Sequence, residues 1–466
     1  MKSIKNYIYS VVTGVVGGLS LYLGGHPFYI WPLLLVAGGS IAFFALSNPN
    51  ILNILLFSFV FVIIGFIGLI TISWSIVISI AVVIGLTLLY SLGLWIARKQ
   101  FRKKRLFFGV LALASFFTAI DYLISLSNIG TATSIAYSML GFLPSVQIAE
   151  LTGIWGITFL IYFFGAAIGA AVYFNRDFKR YAATLLIAVL VLAVVIGWGA
   201  FRLSKFNEYG SYIRTATVCL KEKGKDVIDR DADYSFSWAN KYAELVRKAT
   251  FDYDAMLVVW PEEVLKVTDE TRDSMETFLS SLSRELGIYQ VVGVYDGSRK
   301  LNLAWVISPS GEMLMEYHKH HLVPFVDKAD PGEGEPEVTQ VEQFKLGVVI
   351  CNDEVFTDLT RKLGKKGAQV IADPSWDWLD VYERHARIVP MRAVENRVSI
   401  VRSTKDGIAQ LIAPSGRVIA SKNTLFSDKS ILVGDLPVGY GRTFYSKFGD
   451  LFAYITIVIA LIAVLI

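Results

Sequence analysis

The sequence predicts a polytopic helical membrane domain joined to one water-facing domain in which strands and helices alternate. The 466-residue chain is 54% hydrophobic, whereas a soluble protein is usually about 45–50% apolar. The excess is uneven: residues 1–203 and 449–466 are long apolar runs, whereas 204–448 carries mixed charge. We therefore predict a transmembrane domain of seven helices at 1–203, a water-facing domain at 204–448 and a C-terminal transmembrane helix at 449–466.

Eight apolar runs are candidate membrane spans, because a spanning helix needs about 20 mostly apolar residues. The separation at 70–76, ITISWSI, has two interpretations: a turn between two helices, or part of one long helix. The predicted spans are 6–24, 29–46, 51–71, 74–97, 106–124, 152–174, 181–201 and 449–466.

The positions of the basic residues predict which links between the spans face the cytoplasm. Lysine and arginine are concentrated at the N-terminus (Lys2 and Lys5), at 98–105 and at 176–180. Cytoplasmic links carry such an excess, so these segments are assigned to the cytoplasm. The links assigned to the opposite side contain no lysine or arginine; they lie near 25–28, 72–73 and 125–150. The 204–448 domain follows the seventh span, so we predict that it lies outside the cytoplasm, in the periplasm of a bacterium with two membranes.

Composition excludes several function classes. The formal net charge is only +4, which gives no reason to expect nucleic acid binding. The two cysteines, Cys219 and Cys351, are too few for a secreted disulfide framework. The sequence has no Gly-x-Ser-x-Gly elbow, phosphate loop or Rossmann glycine fingerprint. We predict neither a cofactor nor a metal ion.

Residues 204–448 have the pattern of a layered α/β domain. Helical spacing of apolar residues predicts helices at 237–251 and 272–286, between strand-like runs. The segments ISPSGEML and IAPSGRVIA each predict a hairpin with a Pro-Ser-Gly turn. The strand-like runs, rich in β-branched residues, are 216–220, 255–260, 289–295, 303–308, 345–350, 368–373 and 398–403.

The first candidate catalytic residue is Glu262, in the segment VVWPEE. It lies just beyond an apolar strand, where Trp260 and Pro261 are expected to remove some of its water. Such a carboxylate suits the role of a general base. The alternative is a solvated acid at the end of a strand.

The second candidate is Lys319, in EYHKHHLVPF. Its ammonium group can stabilise a developing oxyanion. One alternative is a solvated basic loop, and another is a metal site built from His318, His320 and His321. The metal alternative is weaker, because the run offers no separated second pair of ligands and no nearby cysteine.

The third candidate is Cys351, in KLGVVICNDEVF. A thiol at the end of a strand, followed by the polar residues Asn352 and Asp353, fits a nucleophile that a base or a cation activates. The alternative is a buried structural cysteine, a description that fits Cys219 better because Cys219 lies inside an apolar strand.

The order Glu, Lys, Cys on three strand ends resembles the nitrilase superfamily of carbon–nitrogen hydrolases. With membrane helices on both sides, the chain resembles the apolipoprotein N-acyltransferases of that superfamily. The similarity rests on Trp-Pro-Glu at 260–262, on Lys-x-x-Leu-Val-Pro-Phe at 319–325 and on Cys351 after its strand. The later segments 385–397 and 401–418 are also similar to the family pattern.

The resemblance implies an αββα sandwich with Glu262 as base, Lys319 as oxyanion stabiliser and Cys351 as nucleophile. It implies that an acyl chain passes from a membrane phospholipid, through a cysteine thioester, to the α-amino group of a lipid-modified N-terminal cysteine. The expected partners are thus a phospholipid donor, a diacylglyceryl lipoprotein acceptor and the membrane.

The chain departs from the family pattern around this site. Val326 and Asp327 stand where the family usually has Gly-Glu, and Asn352 and Asp353 stand where it has Tyr and Glu. The loop Asn-Asp-Ala/Gly-Trp-Phe reads DPSWDW here, which keeps Trp376. We expect Asp327, Asn352, Asp353 and Trp376 to support the site or line its substrate pocket.

Two other functions remain open from the sequence. A membrane-tethered amidase or other hydrolase would use water as the second acceptor. A non-catalytic membrane scaffold would keep the fold alone, which the presence of Glu262, Lys319 and Cys351 disfavours.

Overall fold

The computed structural model describes residues 2–67, 76–205, 210–221, 232–342 and 344–466. The chain divides into two units, one of Met1–Ser204 with Asp450–Ile466 and one of Lys205–Gly449. The predicted break at 70–76 lies almost wholly outside the described residues.

The first unit is helical. Among the described residues, five of its apolar helices are long enough to cross a membrane. Three more have 15 residues each, namely Pro32–Leu46, Ile51–Gly65 and the C-terminal helix Leu451–Leu465. Their length of about 22 Å is short of a hydrocarbon core of about 30 Å. The prediction of about eight spans thus corresponds to eight apolar helices of unequal length. The first seven are α1 (Lys2–Gly24), α2 (Pro32–Leu46), α3 (Ile51–Gly65), α4 (Ile76–Arg102), α5 (Leu106–Ser125), α6 (Ile154–Tyr173) and α7 (Phe178–Lys205).

Glycines let helices of this unit approach closely. A Cβ atom at Gly169 in α6 would lie 2.2 Å from the carbonyl oxygen of Gly39 in α2, which only glycine permits. Without a hydrophobic driving force between helices in lipid, such close packing is a main source of helix association.

Two carboxylates in the helical unit are paired. Ser134 and Thr158 donate to Asp121 Oδ2 at 2.7 and 2.8 Å. Arg202 donates from Nε and Nη2 to the two oxygens of Glu150, at 2.6 and 2.8 Å. Such hydrogen bonds and ion pairs lower the free-energy cost of placing charged groups among apolar helices.

The second unit contains two mixed β-sheets. The first has the order β13-β1-β2-β4-β5-β6, with β3 beside β4, and the second has the order β12-β11-β10-β9-β8-β7. The strands are β1 (Tyr212–Leu220), β2 (Leu257–Val259), β3 (Leu265–Val267), β4 (Tyr289–Asp296), β5 (Leu301–Ile307), β6 (Met313–His318), β7 (Val338–Val341), β8 (Phe344–Val348), β9 (Val370–Trp376), β10 (Ser399–Lys405), β11 (Ile408–Ile412), β12 (Val418–Asn423) and β13 (Lys429–Pro437).

Alternation along the strands builds the layers, because successive side chains point to opposite faces of a sheet. In β2, Val259 packs between the sheets with Val348 and Val401. Its neighbour Val258 packs on the other face with Tyr242 and other helical residues. The helices of this unit are α8 (Ala232–Phe251), α9 (Arg272–Leu286), α10 (Thr357–Lys366), α11 (Tyr382–Asn396) and α12 (Phe444–Phe448).

The outer face of the second sheet is covered in the same way. Leu363 of α10 and Val389 of α11 pack with Ile371 and Ile400 of the sheet. The unit is therefore an αββα sandwich, and the predicted fold class is confirmed.

Candidate active site

Glu262, Lys319 and Cys351 all follow a strand. Glu262 lies three residues after β2, Lys319 directly follows β6, and Cys351 opens the short 3₁₀ turn Cys351–Val355 after β8. Their exposed fractions are 3%, 1% and 3%. Side chains at strand ends are held by the rigid sheet, so a site built from them is positioned accurately.

Glu262 and Lys319 form a direct ion pair. Lys319 Nζ lies 2.7 Å from Glu262 Oε1, and Asn302 Nδ2 donates to the same oxygen at 2.8 Å. Burial by itself lowers the pKa of Lys319, but the negative charge of Glu262 and the nearby Cys351 raise it well above its usual range. The ammonium group therefore stays charged at neutral pH.

Asp327 is a second carboxylate that contacts Lys319. Its Oδ2 atom accepts from Lys319 Nζ at 2.8 Å and from the backbone N–H of Val323 at 2.7 Å. The carboxylate thus reaches the lysine directly, although its side chain is one methylene shorter than the glutamate of the family pattern.

The Cys351 thiol is buried, and the charges of Glu262 and Lys319 both act on it. Burial raises the pKa of this thiol well above its ordinary value, and Glu262 adds to the shift, whereas Lys319 opposes it. The thiol donates to the carbonyl oxygen of Trp376 at 3.4 Å. A thiol held in its protonated form needs a base at the moment of attack.

The backbone of Cys351 is also constrained. Its φ of 48° lies in the left-handed region, which is uncommon for a residue other than glycine. Its N–H donates to Asp373 Oδ1 at 2.9 Å. This N–H is therefore already engaged by the carboxylate of Asp373.

Asp353 and Asn352 support the site. Asp353 is fully buried and accepts from four groups, the N–H of His320, His321 and Ile350 and the hydroxyl of Tyr317, at 2.7–3.2 Å. Asn352 Nδ2 donates to the carbonyl oxygen of His321 at 3.1 Å. Both side chains thus tie the turn at Cys351 to the loop after Lys319.

Trp376 is the last residue of β9, and its carbonyl oxygen accepts the thiol. Lys405 Nζ lies 3.5 Å from the centroid of its ring. A cation over an indole face is an attractive arrangement, strongest where water is excluded. The ring therefore contacts Lys405, whereas the backbone of the same tryptophan contacts the thiol of Cys351.

A second group of charged residues beside Cys351 was not predicted. Arg402 donates from Nη1 and Nη2 to the two oxygens of Asp377 at 3.0 Å each, and its Nε lies 3.1 Å from Asp373 Oδ2. His385 Nδ1 lies 2.9 Å from Asp377 Oδ1. The signals in the sequence were the polar run DPSWDW and the family-like segments 385–397 and 401–418, which contain His385 and Arg402 but did not show that these residues meet Asp377.

The histidines after β6 bind separate partners. His318 Nε2 lies 3.3 Å from Glu316 Oε1, and His321 Nε2 lies 3.0 Å from Asp358 Oδ1. His320 Nδ1 lies 2.8 Å from the carbonyl oxygen of His318. Each ring is thus oriented by its own neighbour.

Within the part of the chain that the structure describes, the residue set with metal-ligand chemistry is Cys351, Asp377 and His385. Their ligand atoms lie within 4.8 Å of one another. Arg402, however, already occupies both carboxylate oxygens of Asp377. A buried guanidinium at this place opposes a second positive charge, so the set does not fit a metal ion.

Two family models match the chain. The carbon–nitrogen hydrolase model matches residues 226–444, and the model of the apolipoprotein N-acyltransferase N-terminal domain matches residues 17–167. The fold and the strand-end site therefore define a membrane-embedded member of the carbon–nitrogen hydrolase, or nitrilase, superfamily.

Similar proteins narrow this class. A protein of Geobacter metallireducens named apolipoprotein N-acyltransferase is 28% identical over 362 residues, which cover 69% of this chain and 67% of that one. Apolipoprotein N-acyltransferase 2 of Treponema denticola is 25% identical over 377 residues, with 69% of each chain covered. Among solved structures, an amidase from Nesterenkonia sp. is 23% identical, with a TM-score of 0.43 over 50% of this chain and 92% of that one. The chain belongs to the apolipoprotein N-acyltransferase family and is a multi-pass membrane enzyme.

Proposed function

We propose that this enzyme transfers an acyl chain from a membrane phospholipid to the α-amino group of the lipid-modified N-terminal cysteine of lipoproteins. The observation that carries the proposal is the ion pair of Glu262 and Lys319, 2.7 Å long, whose two charges both act on the buried thiol of Cys351. The pair supplies a base and a cation to one nucleophile. The names of the relatives supply the acceptor class.

In the first half-reaction Glu262 removes the proton of Cys351, and the thiolate attacks the ester carbonyl of the phospholipid. The carbonyl oxygen becomes an oxyanion that the charged Lys319 stabilises. When the tetrahedral intermediate collapses, Glu262 returns the proton to the departing alkoxide. A lysophospholipid leaves, and the acyl chain stays on Cys351 as a thioester.

In the second half-reaction the α-amine of the acceptor attacks the thioester carbonyl. Lys319 again stabilises the oxyanion, and the C–S bond breaks to restore the thiol. The product carries an amide at its N-terminus. Because both substrates are anchored in lipid, fixing the enzyme in the same membrane raises their effective concentration at the thiol.

The side of the membrane follows from charge. The basic segments at the N-terminus, at 98–105 and at 176–180 support a cytoplasmic assignment for the links that contain them. The αββα unit, which follows α7, is then periplasmic in a bacterium with two membranes, and the enzyme resides in the inner membrane.

The test uses purified enzyme in vesicles of radiolabelled phospholipid, with a synthetic diacylglyceryl lipopeptide as acceptor. We expect the wild type to form the N-acylated peptide and, without acceptor, a hydroxylamine-sensitive acyl group on Cys351. Cys351→Ala should lose both. The matched control is Cys219→Ala, which removes a buried thiol in β1 and should keep both.

Release of free fatty acid without N-acylated peptide would instead assign the enzyme as a hydrolase. Unchanged acylation by Cys351→Ala would remove the thioester mechanism altogether.

A further inference from the structure

The second half-reaction releases a proton that Glu262 does not absorb. The acceptor α-amine, with a pKa of about 7.7–8.0, is largely an ammonium group at pH 7. Of its three N–H protons, one stays on the amide nitrogen and one returns the thiolate to a thiol. The third must leave the site. A base other than the one that serves the thiol is therefore needed.

Glu262 has limited capacity for this proton. Its Oε1 atom already accepts from Lys319 Nζ and Asn302 Nδ2. The carboxylate has one oxygen left, and that oxygen is occupied in moving a proton between the amine and the sulfur.

His385 and Asp377 form a dyad beside the same sulfur. A ring nitrogen of His385, a carboxylate oxygen of Asp377 and Cys351 Sγ lie within 4.8 Å of one another. His385 lies in the first turn of α11 and keeps 8% of its surface exposed. It is therefore close to the reacting atom and connected to solvent.

The dyad fixes the histidine as a proton acceptor. Burial raises the pKa of Asp377, but Arg402 and His385 outweigh this effect and hold the pKa below its usual value. An ionised carboxylate only accepts hydrogen bonds, so His385 Nδ1 is the donor across the 2.9 Å contact. The neutral ring then carries its lone pair on Nε2, and the carboxylate stabilises the imidazolium that forms on protonation.

We infer that His385, oriented by Asp377, accepts the surplus proton when the amine attacks the thioester on Cys351 and passes it to solvent. This inference rests on the proposed function and adds a residue to its second half-reaction. The charged groups that face the histidine are Asp377, Arg402 behind it and the Cys351 sulfur. His385 forms no bond to the acyl carbon: an N–H bond forms on its ring as an N–H bond of the amine breaks, and that ring N–H bond breaks again when the proton passes to solvent.

The experiment separates the two half-reactions of the full-length enzyme in phospholipid vesicles. Thioester formation is followed by lysophospholipid release in one turnover. The acyl-enzyme is then isolated and mixed with the diacylglyceryl lipopeptide between pH 6 and 9.5. The variants are His385→Gln and, as a matched control in the same helix turn, Glu383→Gln, whose side chain is exposed.

We expect His385→Gln to form the thioester at the wild-type rate. Its aminolysis at pH 7 should be slower by about 10²-fold, the lower end of the usual contribution of a general base. The difference in aminolysis rate between His385→Gln and the wild type should disappear above about pH 9, since the amine is then already neutral and has no surplus proton. Glu383→Gln should match the wild type in both steps.

Aminolysis by His385→Gln at the wild-type rate at every pH would overturn the inference. So would an equal loss in both half-reactions, which would make the residue structural. If the wild type itself forms no thioester, the proposed function fails instead. Should His385→Gln fold poorly, Asp377→Asn serves as the second variant: it changes the favoured tautomer and should give the same pH-dependent aminolysis defect.

Discussion

The backbone N–H of Cys351 donates to Asp373 Oδ1 at 2.9 Å, and this bond holds the nucleophile in the left-handed conformation with φ of 48°. The family pattern has asparagine where Asp373 stands. An amide oxygen accepts an N–H as a carboxylate does, so the bond explains why either residue serves at this position.

Replacing Asp373 should therefore separate the effect of its hydrogen-bond acceptor from the effect of its negative charge. We expect Asp373→Asn to stay within about tenfold of the wild-type acylation rate. Asp373→Ala leaves the buried N–H without its acceptor, at a cost of about 1–3 kcal/mol, and should reduce the rate by tenfold or more. The rates are measured in phospholipid vesicles, and an alanine variant as active as the asparagine variant would contradict this role.

Lys319 is predicted to matter for both stability and catalysis. Lys319→Met leaves the buried carboxylate of Glu262 and the partly exposed carboxylate of Asp327 without their shared cation, which should cost about 3–5 kcal/mol of unfolding free energy. Loss of the oxyanion stabiliser should lower the rate of thioester formation by about 10²-fold or more. The control is Lys328→Met, an exposed lysine nine residues along.

Thermal unfolding and single-turnover acylation measure the two effects separately. A Lys319→Met enzyme that unfolds at the wild-type temperature would show that the buried ion pairs contribute little net stability.

Asp353 should act through its hydrogen bonds. Asp353→Asn keeps the size but presents an N–H₂ group to N–H and O–H donors, so at least one of the four bonds must break. We expect a loss of about 1–3 kcal/mol in stability and a slower acylation rate. Tyr317→Phe removes only one of the four donors, so it should lower stability and acylation rate less than Asp353→Asn does. A larger loss for Tyr317→Phe would assign the main role to the tyrosine.

The sequence was sufficient for the features that are local in the chain. The strands before Glu262, Lys319 and Cys351 are visible as apolar, β-branched runs. The two Pro-Ser-Gly hairpins also form, between β5 and β6 and between β11 and β12, because Gly311 and Gly416 adopt positive φ. Membrane spans were recognisable by apolar length, although α3 ends at Gly65 rather than at 71.

The features that depend on strand pairing were not predictable. Arg402 reaches Asp373 because β9 and β10 pair in parallel with Arg402 opposite Asp373. Asn302 reaches Glu262 from the second residue of β5. Arg402 lies in the family-like segment 401–418, but residues that are far apart in the chain give no sign of contact until the sheet register is known.

The raised pKa of Glu263 predicts how the unfolding free energy depends on pH. Burial and the adjacent charge of Glu262 raise the pKa of Glu263 from 4.5 to about 7, against the opposing effect of Lys405. Between these pH values the folded protein binds a proton that the unfolded chain releases, so the unfolding free energy falls as pH rises. At about 1.4 kcal/mol per pKa unit, the full effect above pH 7 is roughly 3 kcal/mol.

Glu263→Gln should remove this loss, because its amide carries no charge at any pH. The variant should unfold at a higher temperature than the wild type above pH 7, and the difference should shrink as the pH falls through 4.5, below which the wild-type carboxyl is protonated in both states. Exposed Glu270→Gln should follow the wild type throughout. Unfolding curves for Glu263→Gln that stay parallel to the wild type from pH 4.5 to 8.5 would mean that Glu263 is ionised in the folded protein across that range, and that the positive charges of Lys405 and Lys319 compensate its burial.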